Sequence, residues 1–172
     1  MKNTLRLFIG VDPGLSGGVA LINERSCLVS VQDTPTMMVK KSNGGNKNTY
    51  VVSQMVALLE AMKASGDIAC AAIEYQASRP GQGAPATFSQ GYGYGLWIGV
   101  LSSQRIPYEI VMPQAWKKAM GIPPKSDKSA SIIKALQLFP HAPLTTQRGR
   151  ELDGRAEAIM IAEFLRRKMV KA

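Results

Sequence analysis

The chain has 172 residues, 45% of them hydrophobic and 19% charged, which is enough to bury the core of one soluble domain. No stretch approaches the roughly 18 apolar residues of a membrane span, and the opening MKNTLRLFIGVD meets an acid too early for a signal peptide. Lys and Arg total 21 against 12 Asp and Glu, a net charge of +9, so polyanions, and above all nucleic acid, are the natural partners.

The first residues, LFIGVDPGLSGGVALIN, read as a strand over Leu7–Asp12, a Gly-rich turn and a second strand over Gly18–Ile22. A third follows over Cys27–Gln32. Thr34 to Asn48 (TPTMMVKKSNGGNKN) is polar, basic and Gly/Asn-rich, the pattern of a mobile loop within a single domain spanning residues 1–172. Val52, Met55, Val56, Leu59 and Met62 recur at helical spacing within Tyr50–Ala64. Ile68–Glu74 is a buried strand that, like the first, ends on an acid.

A flexible loop over Gln76–Pro85 leads to a helix from about Ala86 to Gln104 with Gly91, Gly93, Gly95 and Gly99 along it. Each glycine costs such a helix roughly 1 kcal/mol relative to Ala, so close backbone contact is expected, as at a subunit interface. Pro107–Val111 is a fifth strand. Helices over Pro113–Met120 and Lys128–Leu138 flank the basic loop Gly121–Asp127, and the last helix runs over Asp153–Lys168. This order indicates an α/β protein, a mixed five-stranded sheet with helices on its faces. The segment from Met112 onward carries 12 Lys and Arg against 5 Asp and Glu, most of the excess charge. Cys27 and Cys70 read as small core residues suited to a reducing cytoplasm. Trp97 and Trp116 read as core and His141 as a loop residue.

Asp12 and Glu74 close apolar strands, and parallel neighbours would bring both to one edge of the sheet. In the last helix, at about 100° per residue, Asp153 and Glu157 share one side with Ile161, Phe164 and Leu165, while Arg155, Glu163 and Arg166 fall opposite. Buried carboxylates one turn apart need compensation. Lys or Arg can supply it as a structural ion-pair network, or divalent cations can. Four converging acids inside a basic surface favour the cations, as in two-metal phosphodiester hydrolysis.

In addition, FIGVDPGLSGGVALI resembles the first strand and turn of the RuvC family of Holliday junction resolvases, within the RNase H-like superfamily. AAIEYQ resembles that family's second acidic strand. VMPQAWKKAMGIPPKSDKSASIIKAL is similar to its lysine-rich region, and DGRAEAIMIA to its closing acidic helix in phage and organellar-type members. The resemblance implies an RNase H-like sheet with helices on both faces. It implies that Asp12, Glu74, Asp153 and Glu157 bind two Mg²⁺ ions, with Mn²⁺ able to substitute. It further implies a homodimer that nicks four-way junction DNA in pairs. Lys117, Lys118, Lys125 and Lys128 would hold backbone phosphates, and Arg79 and Tyr75 would also meet DNA.

Two departures stand out. The last two acids are four residues apart rather than the three of bacterial members, with Gly154 at the nearer position. Ala77 stands where those members carry an aromatic wedge, leaving Tyr75 or Phe88 to replace it. Other readings are a nuclease of the same fold acting on RNA ends or on branched or duplex DNA, and a non-catalytic junction-binding module. Asp12-Pro-Gly also resembles the phosphate loop of actin-like ATPases, whose second lobe has little room in 172 residues.

Overall fold

The structure is a computed structural model that describes residues 5–42, 44–127 and 129–170. Seven strands form among the described residues: β1 (Arg6–Asp12), β2 (Gly18–Asn23), β3 (Leu28–Asp33), β4 (Thr36–Lys40), β5 (Asn46–Tyr50), β6 (Asp67–Glu74) and β7 (Tyr108–Val111). The helices are α1 (Val52–Ala64), α2 (Ala84–Ser103), α3 (Pro113–Ala119), α4 (Ser129–Leu138) and α5 (Asp153–Val170). Five strands make one mixed sheet in the order β3-β2-β1-β6-β7, with β1, β6 and β7 parallel and β2 antiparallel to both of its neighbours.

Helices cover both faces, so the central strands are apolar on both sides rather than alternating. Leu7, Ile9 and Val11 of β1 join Ala71 and Ile73 of β6 in a core beneath α1 and α2, filled by Met55, Leu59, Trp97 and Leu101. Phe8, Cys70 and Ala72 point the other way, into a core shared with Trp116, Ile132 and much of α5. Successive strand side chains point to opposite faces, so Asp12 follows Phe8, and Glu74 follows Cys70 and Ala72, onto the α5 face.

Glycine brings α5 against the sheet backbone. A Cβ on Gly10 would collide with the Ala158 carbonyl and the Ala162 amide, and one on Gly154 would strike the Ser16 carbonyl and Gly17. Gly17 and Gly154 form a bridge, seating the first turn of α5 on the β1–β2 turn. This contact explains the four-residue spacing of Asp153 and Glu157: the position between them nearest the turn has no room for a side chain.

Three expectations change. The sequence pattern over residues 34–48 is that of a mobile loop, but β4 and β5 pair there as a hairpin, from Thr36 opposite Tyr50 to Lys40 opposite Asn46. Cys27 is exposed rather than in the core, whereas Cys70 is buried; both are free thiols. Glu163 is not on a solvated side: it is 1% exposed. Helix α5 packs between the sheet and helices α3 and α4, so it is buried nearly all round and presents no single core stripe. Both tryptophans are fully buried, as expected, and His141 lies exposed outside the helices and strands. No helix among the described residues is long and apolar enough to cross a membrane.

Candidate active site

The last ladder pair between β1 and β6 is Val11 with Ile73, so Asp12 and Glu74 lie side by side one residue beyond it. Helix α5 lays Glu157 over the same spot. Carboxylate oxygens of Asp12, Glu74 and Glu157 all come within 4.8 Å of one another. Asp153, one turn earlier on α5, is half-buried and stands outside that group of three, although its charge still reaches Asp12.

Crowding like charges in a partly dry cleft raises the cost of ionisation. Burial, followed by the charges of Glu157 and Glu74, pushes the pKa of Asp12 up to about 8, with the Gly14 amide pulling it back. Glu74 is also raised, first by burial and then by Glu157. The Trp116 indole, the Lys117 charge and the Gln76 amide act against that rise.

Both oxygens of Glu74 are held. Trp116 Nε1 donates to Oε1 at 2.9 Å, and Gln76 Nε2 donates to Oε2 at 3.0 Å. Behind Gln76 stands a file of glutamines: Gln90 Nε2 donates to Gln76 Oε1, and Gln82 Nε2 donates to Gln90 Oε1 at 2.7 Å. The Arg79 amide closes the file on Gln82 Oε1 at 3.1 Å. Thus the loop between β6 and α2 is connected to the acid cluster through side-chain amides that all point their donors toward Glu74. Glu157 meets Lys117 Nζ at 2.9 Å and accepts from Ser131 Oγ at 3.3 Å. Lys117 also lies 5.1 Å from the centre of the Trp116 ring.

The basic residues read from the sequence separate into two groups. Lys117, Lys118 and Lys125 border one cleft of about 890 Å³, with Lys117 on its acid-cluster side. Lys125 sits at φ 61°. Lys128 lies outside the described residues. Arg79 and Tyr75 occupy the exposed loop after Glu74, where Tyr75 packs edge-on against Tyr94. Of the four helical glycines, Gly93 alone meets a neighbour, the Tyr50 ring; Gly91, Gly95 and Gly99 face open space.

Sequence reasoning missed Gln76, Gln90 and Ser131, because polar residues in loops and on helix flanks carry no periodic signal. Trp116 was read only as core. Its place one residue before Lys117 on the helix facing Glu74 was the available clue.

Three carboxylates, of which only Glu157 is paired with a cation among the described residues, form a set of hard oxygen donors with excess negative charge, which suits a divalent cation. No protein-family model and no curated protein sequence matches the chain. Among solved structures it is similar to a T. thermophilus RuvC in complex with a Holliday junction substrate: TM-score 0.57, 12% identity, 95% of this chain and 96% of that one. A second Thermus thermophilus RuvC structure aligns at TM-score 0.55 and 14% identity over the same shares. The yeast mitochondrial Holliday junction resolvase Ydc2 aligns at TM-score 0.50 and 13% identity over 95% of this chain and 79% of that one. The sheet order, the two-sided helical cover and these alignments together establish that the chain has a RuvC-like resolvase fold.

Proposed function

We propose that this protein is a metal-dependent endonuclease that resolves four-way DNA junctions by paired, symmetric nicks. The observation that carries the reading is the convergence of Asp12, Glu74 and Glu157 within 4.8 Å at the ends of two parallel strands. The lysine-bearing cleft beside them supports it. Asp12, Glu74 and Glu157 would hold Mg²⁺ or Mn²⁺, with Asp153 at the edge of the cluster. When bound, such ions supply an activated water and charge stabilisation for an in-line attack on a phosphodiester.

The chain's own groups do the rest. Trp116 and Gln76 keep both oxygens of Glu74 aimed at the cluster. Lys117 neutralises Glu157 in the free protein and is placed to turn to a substrate phosphate. Lys118, Lys125, Lys128 and Arg79 grip the backbone without reading sequence, and Tyr75 offers a ring to bases near the break. Paired nicks need two sites, hence a homodimer. That one of the similar structures holds a Holliday junction substrate makes the four-way junction the first substrate to try.

The test incubates a synthetic four-way junction, a linear duplex and a single-stranded RNA, each with Mg²⁺ or EDTA. Paired nicks in the junction with Mg²⁺ alone are the expected result. Equal cleavage of linear duplex or RNA would overturn the junction assignment, and Mg²⁺-independent binding without cleavage would reduce the protein to a binding module.

A further inference from the structure

Outside the acid cluster, a groove of about 440 Å³ opens between the β4–β5 hairpin and the first half of α2. One wall is aromatic. Phe88 is 75% exposed and Tyr92 47%, an unusual display of apolar ring for residues on one helical surface. Their rings stand nearly parallel, 4° apart with centroids at 6.1 Å. Tyr92 in turn meets Tyr50 edge-on at 6.0 Å. The opposite wall is the hairpin, which contributes Lys41 and Lys47. Residues 36–50 contain three lysines and no acid, and among the described residues no acidic side chain lines the groove.

Stacked rings facing lysines suit a polyanion built of flat apolar units. A duplex offers phosphates but hides its base faces; an unpaired strand offers both. The groove also borders the turn that follows Asp12. Tyr50 at its floor donates its hydroxyl to the Pro13 carbonyl at 3.2 Å, and Pro13 directly follows Asp12. Leu15, on the same turn, lines the groove as well.

We propose that this groove binds an unpaired DNA strand, with bases against Phe88 and Tyr92 and phosphates on Lys41 and Lys47, and leads it toward the acid cluster. The role of that strand rests on the nuclease reading, whereas its binding does not and is measured without metal. The hairpin thus carries function: its lysines supply charge that the helix wall lacks.

The experiment measures fluorescence anisotropy of a labelled short oligothymidylate and of a closed hairpin duplex with full-length protein in EDTA. Phe88→Ala is expected to weaken the oligothymidylate about tenfold and the duplex less than twofold. Lys41→Ala/Lys47→Ala is expected to weaken the oligothymidylate and flatten its log–log salt slope by about 1.4. Unchanged oligothymidylate affinity in both variants overturns the proposal. So does tighter binding of oligouridylate, which assigns the groove to RNA. Conversion of a wild-type dimer to a monomer by Phe88→Ala in sedimentation assigns it to a second copy and overturns the proposal as well. Because Mg²⁺-dependent cleavage is assayed separately, a protein that binds the oligothymidylate through this groove but cuts nothing sinks the nuclease reading alone.

Discussion

Helix α5 buries acids of two opposite kinds. Near its C-terminal end, Glu163 accepts hydrogen bonds from Ser26 Oγ, from Arg166 through two nitrogens and from Arg167, at 2.7 to 2.9 Å. Burial pushes its carboxyl up, but those donors outweigh it and hold the pKa below the usual carboxylate value. Two turns earlier, Glu157 faces Asp12 and Glu74, and among the described residues Lys117 is the cation paired with it. Asp12, across from it, is pushed to about 8. Both sites gather acids away from bulk water, yet one is closed by its partners and the other is left wanting positive charge. Burial of an acid therefore says little by itself about function. The tally of donors and cations around it separates a structural acid from a candidate ligand.

The widest separation of the two sites comes from substituting each acid. Asp12→Asn keeps the shape of the cleft and removes one donor charge. Cleavage of a four-way junction is expected to fall by at least about a thousandfold, while junction binding in EDTA stays within twofold of wild type. Full cleavage by this variant would remove Asp12 from the metal site. At the other end, Glu163→Ala strands Arg166 and the Ser26 hydroxyl. The expected loss is about 2–3 kcal/mol, read as a fall in melting temperature of roughly 5–10 °C. Cleavage per folded molecule at low temperature should be unchanged. A variant that melts like wild type would mean the network contributes nothing net.

The two sites also tilt the pH dependence of stability in opposite directions. Asp12 has a native pKa near 8 against 3.8 unfolded. Between those values the native state binds the extra proton, so its contribution is full below pH 3.8 and is lost as pH rises toward 8. Glu74, also raised, adds to the same trend. Glu163 is lowered from 4.5, so its contribution is present above that pH and is lost as pH falls through its native pKa. Thermal melts of metal-free protein from pH 4 to 9 should decline until about pH 8 and then level off, and Asp12→Asn should flatten that decline. A decline of the same size in Asp12→Asn would show that other groups set it. Added Mg²⁺ should raise the wild-type melting temperature most at the alkaline end.

Much of this contrast was legible in the sequence, for physical reasons. Apolar runs ending on Asp12 and Glu74 identify strand ends, and strand alternation sends both acids to one face once the strands are parallel neighbours. The four-residue spacing of Asp153 and Glu157 keeps them together on α5. Glu163 was not legible, because helical periodicity assumes one buried face and α5 is covered on nearly all sides. The β4–β5 hairpin was hidden for a related reason. Its strands pair with each other and not with the main sheet, so no alternation of apolar residues marks them. Side-chain hydrogen bonds such as Trp116 to Glu74 join residues 42 positions apart and leave no local pattern.

The smallest expected effect concerns how firmly the open site is held. Gln90 lies on α2 and touches none of the clustered acids; it reaches Glu74 only through Gln76. If the file of amides fixes Glu74, removing its middle member frees Gln76 to rotate and lets one carboxylate oxygen wander. Outer partners of metal ligands change affinity by about tenfold or more when lost, and Gln90 stands one step further out. Gln90→Ala is therefore expected to weaken Mn²⁺ binding by about threefold in calorimetry, with melting temperature in EDTA within two degrees or so of wild type. Gln90→Glu keeps the acceptor that Gln82 uses but loses the donor to Gln76, so it should fail to restore affinity. Equal Mn²⁺ affinity in wild type and both variants would reduce the file to loop packing. A graded loss would extend the open site from three carboxylates to the loop that carries Arg79.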